Sequence, residues 1–150
     1  MPQSYTNLLV HVVFSTKQRQ PWLEPQYLPQ ILDFLRGGIV EQKGIPLEIN
    51  GVADHVHFLA KVRQDRALSD IIRDVKARSS GWIHRTFPDL KEFAWQKGFG
   101  AFSVSQSQVK KVREYIRKQE EHHRVVPFQD EFIEFLKANE VEYDERYLWD

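Results

Sequence analysis

Apolar positions divide the chain into alternating strand-like and helix-like stretches. NLLVHVVFST is continuously apolar and β-branched, which predicts a strand over 7–15 buried on both faces. Lys17, Gln18, Arg19 and Gln20 form a polar loop closed by Pro21. Leu28, Ile31, Leu32 and Leu35 then recur at helical spacing, predicting a helix over 24–42 that Gly37 and Gly38 weaken near its end. PLEINGVA and HVHFLAKV follow as two antiparallel strands joined around Asp54. Leu68, Ile71, Ile72, Val75, Trp82 and Ile83 mark a second amphipathic helix over 67–87. A loop from Pro88 runs through FAWQKGFG to a short strand, AFSVS. A third helix is expected over 106–123 with Ser105 as N-cap, and a last one over 130–138 before an acidic, aromatic tail.

The order β-α-β-β-α-β matches an α+β, ferredoxin-like split βαβ: an antiparallel sheet with helices on one face, followed by further C-terminal helices. We divide the chain into 1–127 and a C-terminal helix and tail, 128–150, of the same domain. The fold hosts many functions and names none by itself.

Composition narrows the chemistry. The 150 residues include no cysteine, which removes disulfides and thiolate metal sites and agrees with a reducing, cytoplasmic setting. NLLVHVVF is too short for a membrane span and lacks the flanks of a signal peptide. Net charge is zero, but it is unevenly spread: residues 128–150 carry 8 acidic and 2 basic groups, leaving 19 basic against 13 acidic before them. A basic body with an acidic tail is compatible with polyanion binding, and equally with a solvated surface.

His55 and His57 are the chemical signal. Residues i and i+2 share a strand face, so both imidazoles project together while Val56 and Phe58 point into the other layer. If helices cover the Val56 face, the histidines lie on the open face. Two imidazoles so placed can hold one metal ion or one phosphate. On the third helix, with Tyr115 at zero, Gln119 falls at about +40° and His122 at about −20°, beside a core stripe of Val109, Val112 and Ile116. Tyr115, Gln119 and His122 thus form a polar strip that can face the sheet.

D-H-V-H resembles the histidine–hydrophobic–histidine (HUH) motif, and Y-I-R-K-Q, Tyr115 to Gln119, resembles the nucleophile helix of single-tyrosine HUH transposases. HVVFSTKQR, VKARSS, WQKGFGAFSVS and QEEHH with the following F-x-x-E-F extend the resemblance in order over nearly the whole chain. The last two are most similar to the REP-associated tyrosine transposases. The resemblance implies a metal-dependent enzyme that cleaves and rejoins single-stranded, hairpin-bearing DNA. In it, His55, His57 and Gln119 hold Mg²⁺ or Mn²⁺, and Tyr115 attacks the scissile phosphate to leave a 5′-phosphotyrosine. It implies a homodimer, a nucleoid-associated location and no nucleotide cofactor, in keeping with the lack of a Gly-rich phosphate loop. Lys17, Arg19, Arg73, Lys76 and Arg78 are candidate phosphate contacts, and Trp95 and Phe99 candidate stacking platforms for unpaired bases, or core. Asp54 fits the D-H-x-H pattern and is assigned to the hairpin turn ahead of a role in orienting His55. His11, His84 and His123 receive no role.

Three other readings compete. A silent descendant would bind hairpin DNA without cutting, and a histidine-dependent hydrolase would release its product. KGFGAFSV resembles the signature of RNA-recognition motifs, but Ala101 interrupts it and it lies too late in the strand order.

Overall fold

The computed structural model describes residues 4–123 and 126–149; the last residue of the acidic tail, Asp150, lies outside them. Four strands form one antiparallel sheet in the order β2-β3-β1-β4: β1 Leu8–Ser15, β2 Ile45–Val52, β3 His55–Val62 and β4 Gly100–Ser103. Between them run α1, Leu28–Glu41, and α2, Leu68–Thr86. After β4 come α3, Val109–Arg117, α4, Gln119–His123, and α5, Phe128–Ala138. Among the described residues, no helix is long and apolar enough to cross a membrane.

The continuous apolar run of β1 arises because both sheet faces are covered. Val12, Phe14, Val56, Phe58 and Ala60 meet Ile31, Leu35 and Ile39 of α1 and Ile72, Val75 and Ile83 of α2 in the main core. On the opposite face Val13 and Phe102 pack against Phe128, Phe132 and Leu136 of α5. Each buried valine, leucine, isoleucine or phenylalanine among them contributes about 1.5–3 kcal/mol. Gly100 permits this seating, because a Cβ there would stand 2.5 Å from Phe132 Cε1. The histidine face is therefore roofed, and the expectation of an open face is corrected.

The expected helix over 106–123 is broken. Gln106–Gln108 form a 3₁₀ turn, and α3 ends before Lys118, whose ψ of 21° is not helical. Asn50 of β2 explains the break, since its Nδ2 donates to the carbonyls of Ile116 (2.9 Å) and Arg117 (3.1 Å). A side chain inserted at those carbonyls interrupts the helical ladder. Ser105 does not cap with its side chain, because its hydroxyl pairs with Ser107 Oγ at 3.1 Å. α1 starts at Leu28 rather than Glu24, after a turn in which Glu24 O accepts from Tyr27 N and Leu28 N.

Candidate active site

Pleat and register build the site. His11, Val13 and Ser15 of β1 lie opposite Leu59, His57 and His55 of β3, so all six side chains share the face roofed by α3–α5. His55 and His57 are fully buried there. The Phe128 ring stacks on His55 at 4.4 Å between centroids.

Glu131, carried inward by α5 and 2% exposed, is the centre of the cluster. Its Oε1 lies 2.9 Å from His57 Nε2, 3.1 Å from His123 Nε2 and 3.4 Å from His55 Nε2. Its Oε2 lies 3.2 Å from His122 Nε2 and accepts the Tyr115 hydroxyl. Nitrogens of His55, His57 and His123 and a Glu131 oxygen all fall within 4.8 Å of one another. Three imidazoles and a carboxylate at that spacing suit a divalent cation of the first transition row. Gln119 adds an orphaned acceptor: the residue is fully buried and, among the described residues, its Oε1 has no hydrogen-bond partner. An unmet buried carbonyl oxygen is costly, and a cation or donor would satisfy it. The residues present therefore fit a metal.

Electrostatics follow from the same contacts. Burial opposes ionisation of Glu131, but hydrogen bonds from His123, His55 and His57 outweigh it and hold its pKa well below the carboxylate range. Burial likewise opposes charge on His55, yet its bonds to Asp54 and Glu131 prevail and raise its pKa. Burial lowers His57 to about 4 and His11 to about 3, so both are neutral at pH 7. Tyr115 is raised above its ordinary value, first by burial and then by its bond to Glu131. Its phenol is thus held protonated in this arrangement.

Asp54 lies in the turn between β2 and β3, as expected, and also takes the orienting role. Its Oδ1 accepts from His55 Nδ1 at 2.7 Å, leaving His55 Nε2 facing the cluster, while its backbone carbonyl accepts from Thr16 N. Tyr115 and the histidines meet within one chain, with 5.8 Å between the Tyr115 and His57 ring centroids. The break after α3 keeps His122 beside Tyr115, at 5.2 Å between centroids, and sends His123 to His55, 3.0 Å between Nε2 atoms.

The candidate DNA contacts separate into groups. Arg73, Lys76, Trp95 and Phe99 line one groove of about 360 Å³ together with Lys97. Lys17, Lys97 and Trp95 line a neighbouring one of about 380 Å³ with Trp149. Arg19 lies over the Trp149 ring at 5.2 Å, and the turn holding it keeps Gln18 and Arg19 at positive φ of 54° and 57°. Such strain persists only where its surroundings impose it. Lys76 donates to the carbonyls of Gln96 and Gly98, and burial lowers its pKa to about 8. Arg78 stands outside these grooves, paired with Glu41 of α1. Trp95 borders both grooves but is 8% exposed and its Nε1 donates to Ser79 Oγ at 2.9 Å, which fits the core alternative the sequence allowed for it.

Sequence reasoning missed Glu131 and His123. Both sat in quoted segments, QEEHH and F-x-x-E-F, but a lone carboxylate 74 residues from His57 gives no spacing signal. Lys97 was missed as a shared lining residue of the two grooves.

This arrangement has relatives. Residues 4–119 match the family model described as "Transposase IS200 like". The ISDra2 transposase TnpA of Deinococcus radiodurans is 25% identical over 115 residues, covering 73% of this chain and 81% of that protein. The transposase for insertion sequence element IS200 of Salmonella typhimurium is 28% identical over 126 residues, covering 79% and 81%. A crystal structure of a D. radiodurans protein described as a transposase superposes with a TM-score of 0.66 at 21% identity, over 79% of this chain and 95% of that one. A REP-associated tyrosine transposase bound to a REP hairpin gives 0.60 at 16%, over 84% and 74%. The family match takes in His55, His57, Tyr115 and Gln119 and ends before His123 and Glu131, which belong to this chain's C-terminal segment. On a match spanning most of its length, the chain belongs to the IS200-like transposase family.

Proposed function

We propose that this transposase cleaves and rejoins single-stranded, hairpin-bearing DNA through a covalent link at Tyr115. The observation that carries the reading is the meeting of Tyr115 with His55 and His57 on one sheet face, inside the span matched to the family. Tyr115 Oη attacks the scissile phosphorus; a P–Oη bond forms, the P–O3′ bond breaks, and a 5′-phosphotyrosine and a 3′-hydroxyl result. Attack by a 3′-hydroxyl on the same phosphorus reverses the linkage and rejoins DNA without ATP. Glu131 Oε2 accepts the hydrogen of the Tyr115 hydroxyl and so aims that oxygen at the histidine cluster. His55 and His57 would hold a divalent ion, with donors added from Gln119 or from His123 and Glu131. When bound, the ion would polarise the phosphate and offset charge developing on it. The imidazole-rich donor set favours Mn²⁺ over Mg²⁺.

Lys17, Arg19, Arg73, Lys76 and Lys97 are proposed to hold phosphates, and Phe99, half-buried at the groove, to stack on an unpaired base. We place the protein in the cytoplasm on nucleoid DNA, as a homodimer whose tyrosine serves the histidines of its own chain. A second reading, a protein that binds hairpins without cutting them, has one observation in its favour: Glu131 engages both Tyr115 and the histidines and so occupies the nucleophile and the donor set together. The test is incubation with Mn²⁺ and single-stranded DNA from the flanks of its own gene, end-labelled on either side of the cut. Label 3′ of the cut should migrate with the protein on a denaturing gel and label 5′ of it should not. Binding without cleavage on a hairpin known to be bound selects the second reading.

A further inference from the structure

His57 is bonded on both sides, and its two bonds conflict with metal ligation in their present sense. On one side, Glu131 Oε1 stands 2.9 Å from His57 Nε2; a carboxylate only accepts, so Nε2 carries the proton. On the other, His11 Nε2 stands 2.8 Å from His57 Nδ1, which accepts from His11 when the His57 ring is neutral. To ligate a cation at Nε2, His57 needs the other tautomer, with the proton on Nδ1 and a lone pair at Nε2. His57 Nδ1 then becomes a donor, and its partner must turn from donor to acceptor.

We infer that His11 is a positioning residue that lets His57 change tautomer, donating to it while Glu131 holds Nε2 and accepting from it once a divalent cation does. This rests on the reading of His57 as a metal ligand. An imidazole can serve in both senses, whereas a carboxylate or a carbonyl can only accept. The contrast with His55 is direct. Asp54 accepts from His55 Nδ1 at 2.7 Å, a bond that keeps the same sense whether Nε2 faces Glu131 or a cation. The proton balance closes. His57 loses the proton on Nε2, the one on His11 Nε2 passes to His57 Nδ1, and His11 Nδ1 takes up another. His11 is 3% exposed but lines a groove of about 440 Å³ between β4, α3 and α5, which gives that last proton a route. Its other ring neighbours, Phe102, Phe135 and Tyr115, hold the imidazole edgewise, and it stacks on His57 at 5.1 Å. The ring is therefore fixed against the one nitrogen whose role must change.

The test is calorimetric Mn²⁺ binding to the full chain and to its His57→Ala, His11→Leu and His11→Gln variants, each first checked for a cooperative melt in EDTA. Loss of a partner that orients a metal-bound histidine weakens binding by about 10–100-fold. His11→Leu should show a loss of that order. In His11→Gln the amide can turn to donate or accept, and binding should stay within about threefold of wild type. The ¹⁵N shifts of His57 should report a bare Nδ1 in EDTA and a protonated Nδ1 with Zn²⁺, which a merely structural role would not move. Unchanged binding in His11→Leu, equal loss in folded His11→Gln, or one tautomer in both conditions overturns the inference. Should wild type bind no Mn²⁺, or His57→Ala bind as wild type does, the metal reading itself fails. If His11→Leu does not fold, His11→Gln and the ¹⁵N shifts decide.

Discussion

Replacing Glu131 by glutamine tests the cluster's organisation. The side chain is 2% exposed, so solvent screens little of its interaction with the four histidines around it. Removing the charge takes from His55 one of the two carboxylates that raise its pKa, while Tyr115 and His57 keep a weaker acceptor. Breaking a buried ion pair from one side costs about 3–5 kcal/mol, and because glutamine retains an acceptor we take about 3 kcal/mol. At about 2–4 °C per kcal/mol for a domain of this size, the melting temperature should fall by about 6–12 °C. The assay is thermal unfolding followed by circular dichroism at pH 7 in EDTA, repeated with Mn²⁺. Wild type should gain stability with the ion, and the variant should gain less. A fall below about 2 °C in EDTA would show that Glu131 does not hold the cluster together, and would refute the reasoning.

Gly100→Ala places a methyl against Phe132 and should cost about 1–3 kcal/mol through overpacking; hydrogen exchange should quicken in α5 and stay unchanged in α1. Stability should fall from pH 7 to pH 5. Unfolded histidines take up protons near pH 6.5 while His57 and His11 resist until about 4 and about 3, so the unfolded state binds more protons in that window. Each of the two removes up to about 1.4 kcal/mol per pH unit, with His55 opposing them, and urea midpoints at the two pH values measure the net. Phe99→Ala should weaken single-stranded DNA binding by about 1–3 kcal/mol with little change in melting temperature. Trp95→Ala should instead cost about 3–5 kcal/mol of stability, since its ring is core.

The strands and the first two long helices were legible in the sequence because burial sets their periodicity locally. Leu28, Ile31 and Leu35 announce α1, and the alternation of Val56 and Phe58 with His55 and His57 announces a two-sided strand. The break after Arg117 was not legible, because its cause, Asn50, lies on another element. The roof over the histidines was hidden for a similar reason. Phe128, Phe132 and Leu136 mark an apolar stripe, but only the tertiary fold says which sheet face it covers. The pairing of His55 with His57 is a property of one strand and could be read directly. Glu131, His123 and His11 reach the same place from α5, α4 and β1, and no spacing rule connects them. Asp54 fills both roles the sequence allowed, closing the turn between β2 and β3 and orienting His55, because one position can serve the turn with its backbone and the imidazole with its carboxylate.

The central claim is that Tyr115 becomes covalently bound to DNA beside His55 and His57. The most direct measurement is mass spectrometry of peptides from protein incubated with Mn²⁺ and the flanking hairpin DNA, then digested with nuclease and protease. The account predicts a nucleotide phosphate on the peptide carrying Tyr115, absent in EDTA and absent from His57→Ala protein. Cleaved DNA with an unmodified Tyr115 peptide, or a nucleotide carried by any other residue, would contradict it.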